Sequence, residues 1–152
     1  MTRRTIAGTS MLAALAATSG VALALHAHGG TARADDGCSA GSLDGAYAYA
    51  LQGALYDANG NETADVASAG RIVFDGEGKL SGADWFSKNG TASARSYTGT
   101  YTLGSDCTGS LQVALTGSPA VPRHIALADG GKQVMVIQIN TGPVVSGSFV
   151  KQ

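Results

Sequence analysis

Apolar and polar residues alternate one by one along most of the chain beyond residue 44. In "AYAYALQGALY" (46–56), Tyr47, Tyr49, Leu51 and Leu55 fall on one face and small alanines on the other. "GRIVF" sets Ile72 and Phe74 against Arg71 and Val73. "RSYTGTYTL" sets Tyr97, Tyr101 and Leu103 against Ser96, Thr98, Thr100 and Thr102, and "LQVAL" repeats the pattern with Leu111, Val113 and Leu115. A period of two marks strands with one face buried and one wet. Beyond the N-terminal segment no stretch keeps apolar residues at helical spacing for long. Asn59-Gly60, Asp75-Gly76, Asn89-Gly90, Asp129-Gly130-Gly131 and Thr141-Gly142-Pro143 supply turn chemistry between the runs. "SPAVP" (118–122) reads as a further break, because proline has no place in a central strand.

Counting between breaks predicts eight strands, near 45–56, 65–74, 79–88, 93–103, 109–117, 123–128, 132–140 and 143–151. Their connections are short, so sequence neighbours should pair antiparallel. The expected fold class is all-β, an eight-stranded antiparallel up-and-down barrel, with a two-layer β-sandwich as the alternative. The barrel is favoured because no long Greek-key crossover is present and because closure removes edge strands. In addition, Gly53, Gly70, Gly82, Gly99 and Gly147 fall inside strands, where glycine permits the bends that closure requires.

The first 34 residues differ in composition. Arg3 and Arg4 precede the apolar run "MLAALAATSGVALAL" (11–25), and Ala32-Arg33-Ala34 is a small-x-small cleavage pattern. The run is shorter than the ~20 residues a spanning helix needs. A helical signal peptide over 1–34, cut before Asp35, is expected, leaving residues 35–152 as one domain that is secreted or periplasmic. The Sec route is favoured, with the twin-arginine route as the alternative because of the arginine pair.

The remaining segment holds seven basic and eleven acidic residues, a net charge of −4, with His124 as its one histidine. This mild acidity, without a basic run or stripe, argues against nucleic acid and anionic membrane as partners. No membrane span is expected in the mature protein, and its oligomeric state is not set by the sequence. An even pair of cysteines in an oxidising compartment is most simply a disulfide, so Cys38 and Cys107 are expected to bond.

Several motifs in order, "GAYAY", "IVFDGEGKLSG", "NGT", "GTYTLGSDCTGSL", "GKQVMVIQINTG" and "VVSGSF", resemble a family of small secreted bacterial proteins, largely uncharacterised. That family is similar to calycin-like barrels related in shape to allene oxide cyclase. The resemblance covers most of residues 41–151. It implies an eight-stranded barrel with the cysteine of "DCTG" in a turn. It does not carry cyclase chemistry, because no catalytic positions match residue by residue and fold alone would not license the transfer.

Candidate chemistry is sparse. Serines abound, but the one histidine, His124, reads as a surface or strand-end residue, so a nucleophilic triad is unsupported. "DANGNETAD" places Asp57, Asn59 and Asn61 at calcium-loop spacing, but its sixth position is Glu62 and its twelfth Ser68, so a hairpin loop is favoured. No metal site, catalytic set or cofactor is assigned.

Asp84 shares a strand face with Leu80 and Phe86, so strict alternation would bury it, and buried carboxylates gather at functional sites. The favoured reading is instead a bulge at Gly82 that turns Asp84 outward and Trp85 inward. Tyr47, Tyr49, Tyr97 and Tyr101 either line a cavity with their hydroxyls or form an aromatic core with hydroxyls at the barrel mouth, the latter being favoured. Tyr49, Asp84, Tyr97 and Tyr101 are the candidate ligand-binding residues. The expected function is a non-enzymatic exported barrel that binds a small apolar ligand or a protein partner. Ligand storage would need an interior pocket of about 300 Å³ or more. The alternatives are an isomerase or cyclase of the allene oxide type, using Asp84 and Tyr101, and a structural or inhibitor-type interaction protein.

Overall fold

The computed structural model describes residues 37–152, so the expected leader and its cut lie outside the described residues. Eight strands, β1 (Asp44–Tyr56), β2 (Glu62–Asp75), β3 (Lys79–Lys88), β4 (Thr91–Leu103), β5 (Thr108–Leu115), β6 (Val121–Ala128), β7 (Gln133–Gln138) and β8 (Pro143–Lys151), pair antiparallel in sequence order. β8 returns to β1, from Tyr47 opposite Lys151 to Leu55 opposite Pro143, and the barrel closes. Sheet closure selects the barrel over the sandwich. Among the described residues no helix is long and apolar enough to cross a membrane.

The boundaries differ from the sequence reading by two or more residues at the starts of β2, β4 and β6 and at the ends of β5 and β7. β2 begins earlier, at Glu62, and β7 ends earlier, at Gln138. β6 begins at Val121 and includes Pro122, so "SPAVP" is a break only as far as Ala120. The Pro122 carbonyl accepts the Ile139 N–H at 3.2 Å. The missing proline N–H would face the same neighbour, so the exchange with Ile139 is one-sided and the β6–β7 ladder starts at Arg123 opposite Gln138.

The two ends of the barrel are built differently. At one end lie the start of β1, the turns at 76–78, 104–107 and 129–132, and a 3-10 turn at Ala40–Ser42. The Cys38–Cys107 disulfide fastens that 3-10 segment to the β4–β5 turn, with Cα atoms 4.9 Å apart. Cys38 N–H also donates to the Ser105 carbonyl at 3.3 Å. Leu43, at the end of the 3-10 segment, is fully buried. Beneath it, Phe74 meets Tyr47 edge-on at 5.4 Å and Tyr101 at 5.1 Å, and Leu111, Ile125, Val134 and Phe149 complete a solid core. The turns at the opposite end, among them the two-residue Asn89-Gly90 connection, carry no comparable plug among the described residues. The barrel is therefore filled at one end and hollow towards the other.

Candidate functional site

Alternation runs unbroken through β3. Asp84 is 6% exposed and Trp85 64% exposed, and the pairing passes Gly82 without a shift, with Ile72 and Tyr97 as its partners on either side. The expected bulge at Gly82 is absent, and the reading that turned Asp84 outward and Trp85 inward is overturned. The physical reason lies across the ladder: Arg95 stands directly opposite Asp84. A carboxylate enters a barrel when a fixed cation and hydrogen-bond donors meet it there.

Those donors engage both carboxylate oxygens. Arg95 donates through Nε to Oδ1 at 3.0 Å and through Nη2 to Oδ2 at 2.6 Å. The Tyr49 hydroxyl donates to Oδ2 at 2.9 Å, and Tyr97 donates to the Tyr49 hydroxyl at 3.0 Å. The chain Tyr97–Tyr49–Asp84–Arg95 thus draws on β1, β3 and β4. The guanidinium of Arg95 also lies 3.8 Å from the centre of the Phe86 ring. A two-pronged contact on one side and a stacked ring on the other hold its plane in one orientation.

Two strand glycines make room for this group. Gly82 faces Tyr97, and a Cβ there would run into the Tyr97 hydroxyl and the Arg71 carbonyl. Gly70 faces Asp84, and a Cβ there would meet Ala83 and Asp84. The expectation that strand glycines serve closure thus gains a second element: these two also admit polar side chains to the interior.

Arg123 completes the set from β6. It shares the inward face with Ile125, and its Nε is a buried atom with no hydrogen-bond partner. Gln138, its register partner on β7, donates its side-chain nitrogen to Asn140 at 2.7 Å. Burial pulls the guanidinium below its ordinary pKa, opposed by the nearby Tyr49, Tyr97 and Asp84, yet arginine keeps its charge at neutral pH. An unmatched buried donor costs on the order of 1–3 kcal/mol, more when charged.

Burial raises the Tyr49 hydroxyl far above its usual range, helped by its bonds to Tyr97 and Asp84. Burial likewise pushes Tyr97 up to about 12, against the bond to Tyr49 and the two arginines. Both phenols are therefore neutral donors at neutral pH.

Above this polar group a cavity of about 160 Å³ opens towards the unplugged end. Its walls are chiefly apolar, including Leu51, Val66, Phe86, Val113 and Val145, while Tyr49, Asp84, Arg95, Tyr97 and Arg123 supply the polar surface. Of the four candidate binding residues, Tyr49, Asp84 and Tyr97 come together here. Tyr101 does not join them. Its hydroxyl lies at the plugged end, 2.9 Å from the Leu43 carbonyl and 3.0 Å from that of Ala40. Tyr47 is placed similarly, donating to the Gly131 carbonyl at 2.7 Å. The four tyrosines split in two pairs, with no hydroxyl at an open mouth.

The sequence reading passed over Arg95, Arg123 and Phe86. The signal was present: Arg95 is in phase with Tyr97, and Arg123 with Ile125. Arginine is usually read as surface unless its ladder partner is known.

His124 is exposed on the outer face of β6. The calcium-like stretch forms a hairpin loop in which Asp57 Oδ1 accepts the Asn59 and Asn61 N–H groups at 2.8 and 2.9 Å. Among the described residues no group of three or more His, Cys, Asp or Glu could hold a metal ion.

No family model, no curated protein and no solved structure matches the chain. The closed eight-stranded barrel agrees with a barrel family in general.

Proposed function

We propose that this protein is a non-enzymatic binding barrel that takes up one small, largely apolar molecule at its unplugged end. The observation that carries the reading is the cavity itself: apolar walls over a floor of fixed polar groups, a common form for ligand sites. Its volume of about 160 Å³ weighs against storage of anything lipid-sized, since pockets for drug-sized molecules begin near ~300 Å³. The reading narrows to small ligands. A cavity of about 150 Å³ in another protein holds benzene, which sets the scale.

Export belongs to the same proposal. The disulfide and the leader-like segment support a secreted or periplasmic protein after cleavage before Asp35. The turn and strand motifs support a calycin-like relationship as part of this reading.

A second reading, ring closure or isomerisation of the allene oxide type, draws support from the inward place of Asp84. It is weakened because both Asp84 oxygens are already taken up by Arg95 and Tyr49. It also loses Tyr101, which lies at the other end of the barrel. The interaction-protein reading rests on exposed Trp85, Met135, Ile137 and Ile139 on the outer surface.

Native mass spectrometry of the protein purified from its own host tests the binding proposal. The expected species is a chain beginning at Asp35 with a small molecule retained. A protein that emerges empty, and whose cavity-lining resonances do not move under xenon, would sink the binding reading.

A further inference from the structure

The charges around the cavity do not cancel. Asp84 is matched by Arg95, its neighbour across the ladder, through two hydrogen bonds. Tyr49 and Tyr97 are neutral donors. Arg123 remains, cationic and inward, with its Nε buried and unpartnered among the described residues. The cavity wall therefore carries one positive charge in excess.

Asp84, the one carboxylate among the residues lining the cavity, already accepts from Arg95 and Tyr49. A guanidinium that lines an apolar cavity without an ion-pair partner among the described residues is matched by an occupant that brings its own acceptor and its own negative charge. A carboxylate fits best, because its two oxygens match the planar fork of arginine. Its organic body would then lie against the apolar walls around Leu51, Val113 and Val145. The volume limits that body to roughly the size of one benzene ring.

Resting on the binding reading above, we propose that the ligand is a small monocarboxylate with an apolar body, its carboxylate paired to Arg123. Arg95 does not take this role, because Asp84 and Phe86 already hold both its edge and its face. Its part is to keep Asp84 neutralised, so that the cavity stays net positive towards an incoming anion. Selectivity follows from the same arrangement. A neutral ligand of equal size fills the walls and leaves Arg123 unmatched, whereas an inorganic anion meets Arg123 and leaves the walls bare.

Calorimetric and NMR titration of the oxidised protein with benzoate, benzyl alcohol and inorganic phosphate tests this assignment. Benzoate is expected to shift resonances of Leu51 and Val113 and to bind about tenfold or more tightly than benzyl alcohol. Phosphate is expected to bind weakly, without moving those resonances. In Arg123→Gln the benzoate preference is expected to vanish while benzyl alcohol binding persists.

Equal binding of benzoate and benzyl alcohol to the unaltered protein overturns the carboxylate assignment and leaves the cavity reading standing. Phosphate binding as tightly as benzoate overturns it too, by showing a general anion patch. If none of the three moves a cavity resonance, both the assignment and the binding reading fall. The comparison within the unaltered protein decides the matter even if Arg123→Gln does not fold.

Discussion

Asp84 and Arg95 face each other across the β3–β4 ladder, one almost fully buried and the other a quarter exposed at its side chain. Their pairing is what lets alternation continue through β3 with a carboxylate on the inner face. Removing one partner strands the other's charge, a loss of about 3 kcal/mol for a pair this buried. Asp84→Leu and Arg95→Met are each expected to lower stability by about that amount in urea unfolding, whereas the double variant should lose clearly less than the sum. Additive losses would show that the two side chains do not depend on each other. Tyr49 is expected to feel the change as well, because its hydroxyl loses its acceptor when Asp84 is replaced.

At the scale of elements, the contrast is between the plugged and hollow ends. The 3-10 turn at Ala40–Ser42 has little to hold it by itself, since a single short turn is never stable alone. The disulfide and the Tyr101 hydroxyl hold it over the core. A bridge closing a separation of 69 residues contributes about 4 kcal/mol in the chain-entropy account, a large share of the usual stability of a domain this small. The double replacement Cys38→Ser and Cys107→Ser is expected to reduce unfolding free energy by roughly that amount. It should also speed hydrogen exchange at Leu43 and in the 104–107 turn before exchange in β2 or β8 is affected. An unchanged denaturation midpoint would show that the plug holds without the bridge.

The sheet that closes on itself keeps four of five tyrosines from water, and this gives the whole molecule a pH limit. Burial raises the ionisation of Tyr47, Tyr49, Tyr97 and Tyr101 above the ordinary value of 10.0. Below that pH the phenols are protonated in both folded and unfolded chains, and their contribution to stability is complete. Above it the unfolded chain releases protons that the folded one retains, so stability falls as pH rises, through the Tyr97 value of about 12. Alkaline titration is expected to show most phenolate absorbance arriving in one cooperative step, together with loss of near-UV circular dichroism. Gradual ionisation starting at pH 10 with the circular dichroism intact would contradict the enclosed tyrosine pairs.

Local order along the chain was enough to read eight strands, their antiparallel neighbours, the turns and the cysteine pair. Period-two burial and turn chemistry are properties of adjacent residues, and short connections leave few ways to join the strands. Tertiary structure alone decided the site. Whether Asp84 points inward depends on Arg95, eleven positions away, and on the room left by Gly70, because the energy of a buried charge is set by its partners and not by its own strand. The same holds for Arg123, whose unmatched donor exists only because closure of the barrel brings β6 round to face Tyr49 and Tyr97. The distance of Tyr101 from Tyr97 is already set by four residues of one strand, whereas the plug supplies the carbonyls that its hydroxyl bonds.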